Sequence, residues 1–515
     1  MTPTFLLMAA LVTLAPAAPE SDPAAAPAPS SERLRLTLAD AVHLALGSDA
    51  VRVYRLSHQS ALHQENAARG RAYDPVLSSS VSSNDATSPT VERVEGVDIL
   101  TNRRDFAFFR VEQRLPTGTR TDVAFSGDRI STNSQNSSFN PQFSSTLQLS
   151  VTQPLLRNRT GLLQRGPILG ASQATDQSRA ALEANLASAV ELTVRRYWDA
   201  VLAAERLAVQ RKALELTETT HHKNRRMLEL GAIAPLEIHR SESDVATRKL
   251  DVLAAEFERR RREDELRRGL GLDADPATAE AALELLDRPE MGEALAPVPA
   301  EAVAQALRAR PDLLSLRHQL GADETSVRLA REDARPSLDL RAAYTARGVA
   351  GTQLESDGVI RTQTNLGNAF DQSFDRRFPT WDLSVNFVMP VRNRAARAAV
   401  ASAQTAYDRR RLQMVEMERQ VALEVRSAID QVEHARQAIA LATIAREHAG
   451  KTLQAEQRKY ELGTTELFLV LDAQTRVAQS ELALLSAKVG YQMATTRLDL
   501  VTGRLLERHD VKTDR

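Results

Sequence analysis

The chain has no cysteine among its 515 residues, which excludes disulfides, thiolate metal sites, a cysteine nucleophile and lipidation of an amino-terminal Cys. Aromatic residues make up only 4%, which argues against the several ordinary globular cores that this length allows and favours an elongated shape. No stretch approaches 18 uninterrupted apolar residues, so the chain cannot enter a membrane as an α-helix. There is no excess of one charge either: 66 basic and 67 acidic residues leave a net charge of -1. The charges are interleaved, which gives no pull toward nucleic acid or an anionic membrane surface. Signatures of chemistry are missing too. No Gly-rich phosphate loop or nucleophile motif occurs, and His221, His222 and His239 lie in helical sequence without a matching carboxylate pattern. No catalytic residue, cofactor or metal is expected.

What is present is a duplication. Val42, Ala45, Leu46 and Pro75 meet Val303, Ala306, Leu307 and Pro336 at a constant offset of 261, and Glu229, Leu230, Gly231 and Gly271 meet Glu461, Leu462, Gly463 and Gly503 at an offset of 232. The shared order is helix, strands, long helix, turn, long helix. The reading divides the chain into a first repeat at 36–270, an ancillary segment at 271–300, a second repeat at 301–503 and a tail at 504–515. Ahead of these, the apolar run Phe5 to Leu14 and the small residues Ala15-Pro16-Ala17-Ala18 predict a signal peptide over 1–18, although no Lys or Arg precedes the run. A Pro/Ala-rich linker follows at 19–35.

Leu36 to Ala72 carries helical periodicity, with Thr37 and Asp40 spaced as a capping pair. Strands are expected at Leu77 to Ser83, Asp105 to Gln113, Thr119 to Ser126 and Ser144 to Gln153, with Pro116-Thr117-Gly118 as a turn. In the second repeat Trp381, Leu383, Val385 and Phe387 alternate with Asp382, Ser384 and Asn386. One apolar and one polar face suits a membrane barrel with a wet lumen, and equally a half-buried soluble sheet. Ala171 to Leu230 has no Pro or Gly, and Ala395 to Leu462 has only Gly450; such runs make helices roughly 90 to 100 Å long. Val425, Ala428, Val432, Ala435, Ile439 and Ala442 form a coiled-coil seam.

Four motifs on this duplicated frame resemble the TolC-type outer membrane efflux protein family. They are Leu36-Thr37-Leu38-Ala39-Asp40-Ala41-Val42; Arg310-Pro311-Asp312-Leu313 with Ala334-Arg335-Pro336-Ser337-Leu338; Thr152-Gln153-Pro154-Leu155-Leu156; and Tyr460-Glu461-Leu462-Gly463-Thr464 with Leu471-Asp472-Ala473. The resemblance implies an α+β membrane protein: a homotrimer whose twelve strands form one barrel in the outer membrane of a Gram-negative bacterium, continued into the periplasm by a coiled-coil α-helical barrel. Two strands per repeat cannot close a barrel alone, and open edges are not tolerated in lipid, so association is required physically as well. The implied function is a passive exit duct served by a periplasmic adaptor and an inner membrane pump of the RND or ABC type. Small molecules, metal ions and proteins are all possible cargoes.

Specific residues follow from this. Trp381, Leu383, Val385 and Phe387 face lipid, and Asp382, Ser384 and Asn386 face the lumen. Leu230, Gly231, Leu462, Gly463 and Thr464 form adaptor-docking tips. Where the family often has two acidic gate positions near the tip, this chain has Leu469 and Asp472 in one repeat and Glu237 and Arg240 in the other. Glu237, Arg240 and Asp472 are therefore gate candidates, with Arg240 able to pair with Glu237 or with Asp472. The sequence around 84–142 exceeds what two strands need and is open to reading as a loop, a strand extension or an added hairpin. A periplasmic adaptor, a secreted coiled-coil structural protein and a secreted enzyme are the alternatives. The first lacks a recognisable lipoyl-like half here, and the last lacks a site.

Overall fold

The structure, a computed structural model, describes residues 34–90, 93–231, 235–279, 281–290, 298–354 and 360–511. The expected signal peptide and almost all of the linker lie outside them. The first repeat opens with β1 (Leu34–Leu36), α1 (Leu38–Gly47) and α2 (Asp49–Tyr73). Thr37 and Asp40 make the reciprocal cap: the Asp40 amide donates to the Thr37 hydroxyl at 3.2 Å and the Thr37 amide to the Asp40 carboxylate at 3.1 Å. The helix that reads as continuous is broken at Ser48, whose backbone is extended and whose hydroxyl donates to the Ala45 carbonyl at 2.6 Å. A serine that satisfies the backbone locally competes with the helix ladder.

Four long strands follow, β2 (Val76–Pro89), β3 (Ile99–Arg114), β4 (Arg120–Thr132) and β5 (Phe139–Pro154), and then α3 (Leu162–Glu229) and α4 (Pro235–Leu270). The ancillary segment holds α5 (Pro276–Ala279) and β6 (Leu283–Leu285), and β6 pairs in parallel with β1. The second repeat runs α6 (Pro299–Ala309), α7 (Pro311–Asp333), β7 (Ser337–Leu354), β8 (Ile360–Gln363), α8 (Leu366–Phe374), β9 (Phe378–Val388), α9 (Arg394–Glu461) and α10 (Leu467–Thr502), with α11 (Leu505–Arg508) in the tail. The duplication is plain in the helices: α3 and α9 have 68 residues each, α4 and α10 have 36 each. The first long helix starts at Leu162, ahead of the expected Ala171, and runs through Gly166 and Pro167. Gly166 serves packing there, since a Cβ would come within 3.0 Å of the Leu329 side chain on α7.

The seam residues Val425, Ala428, Val432 and Ile439 are buried with Leu313, Tyr491 and Val501, and Ala435 packs at their margin. A second cluster joins α1, α3 and α4 through Val42, Val194, Tyr197, Trp198 and Leu266. Tyr197 donates to the Leu36 carbonyl at 3.1 Å and bonds Asp287 at 2.9 Å, while Asp287 also accepts from the Leu38 amide at 2.6 Å. Burial pushes the Tyr197 phenol far above its ordinary value, so it stays a donor.

One sheet of seven strands has the order β2-β3-β4-β5-β7, with β8 and β9 both on the far side of β7. β9 pairs with Ser337 to Arg347 and β8 only with Thr352 to Leu354, beyond it. The fold class is the one read from the sequence, but the chain adds strands to it. The resemblance implies two strands in the first repeat; four are hydrogen-bonded there, because β3 and β4 insert as a hairpin between β2 and β5. Of the three readings open for 84–142, the added hairpin with lengthened strands is the one observed.

Candidate conduit: sheet faces, helical tips and gate

Residues paired across an antiparallel ladder share a face, so the register sorts every strand. Trp381, Leu383, Val385 and Phe387 pair with Tyr344, Ala342, Leu340 and Leu338. Through β7 the same face continues to Leu147, Leu149 and Val151 on β5, Val123 and Phe125 on β4, and Phe109 and Val111 on β3. Trp381 is 79% exposed and Leu383 75%, in a stripe running from Leu338 to Ala346 along β7, about 27 Å at strand rise. Asp382, Ser384 and Asn386 pair with Ala343, Arg341 and Asp339 on the opposite face, beside Thr152, Ser150 and Gln148. At the end of the apolar stripe remote from the helices, Asp105 accepts from Ser83 at 2.6 Å and lies 3.6 Å from Arg103. Charge thus bounds the stripe on that side.

The sequence reading missed α8. It lies across the outer end of the apolar face on a seat of small residues: Ser145 donates to the Ala369 carbonyl at 2.6 Å, and a Cβ at Gly348 would come within 1.9 Å of that oxygen. Phe370 packs on Phe125 with ring centroids 4.9 Å apart. Its signal was present in Asn365 and Asn368, which form a reciprocal cap, and in Leu366, Phe370 and Phe374 at helical spacing.

At the other end of the molecule Gly231 and Gly463 hold φ of 71° and 72°. The Gly463 amide donates to the Tyr460 carbonyl at 3.0 Å and the Thr464 amide to the Lys459 carbonyl at 2.9 Å, a Schellman-type stop that only a left-handed residue completes. Leu230 and Leu462 beside these turns are 83% and 78% exposed. The two tips are held together by a contact sequence reasoning did not find: the Tyr460 hydroxyl donates to Asn224 Oδ1 at 2.9 Å. Burial, reinforced by the Glu237 carboxylate, raises the Tyr460 phenol above its ordinary value.

The gate candidates do not form one cluster. Arg240 pairs with Glu237 at 3.2 Å, whereas Asp472 pairs with Arg476 at 2.8 Å. Of the two partners open to Arg240, the neighbour one turn back is the one it takes. Among the described residues, Glu237 Oε2 is buried without a hydrogen-bond partner. Arg476 was absent from the sequence reading, and its i,i+4 spacing from Asp472 was the available signal.

Residues 302–504 match the family model described as Outer membrane efflux protein. That match spans nearly the whole of the second repeat. The efflux-protein fold extends over the first repeat as well, since solved channels superpose on nearly the whole chain. The outer-membrane channel OprN is 17% identical, with a TM-score of 0.65 over 90% of this chain and 89% of its own. The Campylobacter jejuni CmeC outer membrane channel is 16% identical, with 0.65 over 91% and 86%. The open state of the Neisseria gonorrhoeae MtrE outer membrane channel is 15% identical, with 0.62 over 92% and 91%. At such identities the likeness is one of fold. No curated protein matches the chain. The efflux-protein segment contains β9, the Leu462-Gly463-Thr464 tip and Asp472; Leu230, Gly231, Glu237 and Arg240 precede it.

Proposed function

We propose that three copies of this chain form a passive exit duct through the outer membrane, reaching into the periplasm toward a periplasmic adaptor and an inner membrane pump of the RND or ABC type. One observation carries the reading: a two-faced sheet whose edge strands β2 and β9 are fully exposed continues into paired helices of 68 residues. Unpaired edges cannot stand in lipid, so neighbouring copies must cover them. Trp381, Leu383, Val385 and Phe387 then meet lipid, and Asp382, Ser384 and Asn386 meet the water of the lumen. The mature chain starts after a signal peptide at 1–18. Two repeats at 36–270 and 301–503 flank the ancillary segment at 271–300.

The duct has no catalytic role in this reading. Energy and substrate choice belong to the pump, and small molecules, metal ions or proteins could all pass, because a passive tunnel needs no cargo-shaped pocket. The exposed leucines and left-handed glycines at the tips suit a partner helical hairpin, so Leu230, Gly231, Leu462, Gly463 and Thr464 are assigned to adaptor docking. Outer-membrane fractionation with heat-modifiable migration, followed by conductance in planar bilayers, tests the proposal. A trimer that resists detergent until heated is expected. A soluble periplasmic monomer would end the reading.

A further inference from the structure

The β3–β4 hairpin is not accounted for by the four strands of the family plan, and its height in the sheet is set by its turn. Leu115 to Thr119 lies at the helical end, packed on the connection from β5 to α3. A Cβ at Gly118 would come within 2.6 Å of the Asn158 carbonyl, and one at Gly161 within 2.3 Å of the Pro116 carbonyl. Both glycines hold positive φ, 83° and 67°, so no other residue fits either side of this contact without strain. Thr119 also bonds Gln153 near the end of β5. Tethered there, the hairpin spans the same height as its neighbours, pairing with β2 from Val76 to Pro89 and with β5 from Gln142 to Thr152.

Its side chains obey the two faces of the sheet. Ala107, Phe109 and Val111 share the apolar face with Phe125 and Val123, while Phe106, Phe108 and Arg110 share the polar face with Asp128, Ser126 and Ala124. The two aromatics on the polar side are covered by cations: Arg104 lies 5.4 Å from the Phe106 ring and Arg110 5.1 Å from the Phe108 ring. β8 pairs only with the outer end of β7, so six strands cross at the level of the apolar stripe: β2, β3, β4, β5, β7 and β9. β2 leaves the helices and β9 returns to them, so β9 of one copy beside β2 of the next continues the antiparallel order.

We propose that the β3–β4 hairpin is part of the membrane wall, and that three chains of six strands close an eighteen-stranded barrel instead of a twelve-stranded one. The inference rests on the trimeric duct reading. Each β2 and β9 edge takes a second copy of this chain as its partner, and the even count meets the rule for outer-membrane barrels. Barrel diameter grows roughly linearly with strand number, so the lumen is about 1.5 times as wide as with twelve strands. Arg104, Phe106, Phe108 and Arg110 add a cationic and aromatic stripe to its lining.

Because the chain has no cysteine, single cysteines report on each face. In intact cells, Ala107→Cys and Val111→Cys should react with a membrane-impermeant maleimide at least about ten-fold more slowly than Phe108→Cys and Arg110→Cys, by the lipid shielding of one face. A cryo-electron microscopy map of the parent trimer in lipid nanodiscs should count eighteen strands, and it decides the matter if a cysteine variant fails to assemble. Fast labelling at all four positions, or a twelve-stranded wall with 99–132 outside it, would overturn the barrel size and leave the duct intact. A soluble monomer would overturn both.

Discussion

Arg310 occupies the extended step between α6 and α7, where Pro311 disfavours helical geometry for the residue before it. Its guanidinium donates to Asp312 at 2.6 and 3.1 Å and also pairs with Glu424 on α9. Burial alone would raise the Glu424 carboxyl, but the bonds from Arg310 and Gln420 outweigh it and hold the group below its ordinary value. A depressed carboxyl contributes stability above its unfolded pKa and loses it as pH falls through the folded value. The helices should therefore resist thermal unfolding less well below about pH 4. Glu424→Gln should cost about 1.5–3 kcal/mol at neutral pH and shrink that acid loss; an unchanged acid profile would remove the pair from the account. The gate pairs are a different case. Arg240 with Glu237 and Asp472 with Arg476 are partly exposed helix pairs, worth only about 0.3–0.5 kcal/mol each, so their substitution should be read in conduction. Asp472→Ala should weaken cation selectivity and Arg240→Ala should raise the open fraction of reconstituted trimers. Parent-like conduction by both across acidic pH would exclude them from the gate.

For the strands and helix ends, position on the element decides the outcome. Leu383 and Ser384 are neighbours on β9 but face opposite ways, as the register to Ala342 and Arg341 requires. Leu383→Arg should cost roughly 2 to 4 kcal/mol near mid-bilayer and deplete assembled trimer. Ser384→Arg should assemble and change conductance. Equal yields from the two would undo the face assignment. At the tip, Gly463 has open space around it among the described residues, and its positive φ is the constraint. Gly463→Trp adds strain of roughly 1–2 kcal/mol, small against two packed hairpins, so the trimer should survive while adaptor cross-linking and efflux are lost. Normal cross-linking would separate the tip from docking.

Across the molecule, the two repeats touch near their tips through Tyr460 and Asn224, and again where Gln474 donates to Thr220 at 3.1 Å. If opening requires the repeats to part there, joining Asn224→Cys to Tyr460→Cys with a short reducible cross-linker should lower conductance, and cleaving the linker should restore it. The same conductance before and after cleavage would place any opening motion elsewhere.

Much of this was legible without coordinates, because the deciding signals are local or periodic. Thr37 and Asp40 announce a cap by spacing, Gly231 and Gly463 announce stops, and the apolar period of Val425 to Ile439 announces a buried seam. Alternation along Trp381 to Phe387 likewise separates two faces within one strand. Only the tertiary structure decided which strands neighbour one another, since hydrogen-bond partners far apart in sequence leave no mark on either segment. The place of β3 and β4 in the sheet therefore depended on the fit of Gly118 against Asn158 and of Gly161 against Pro116. The partners of Arg240, Asp472 and Tyr460 depended in the same way on side-chain geometry in space. Spacing made Arg476 available to Asp472, and only packing brought Asn224 to Tyr460.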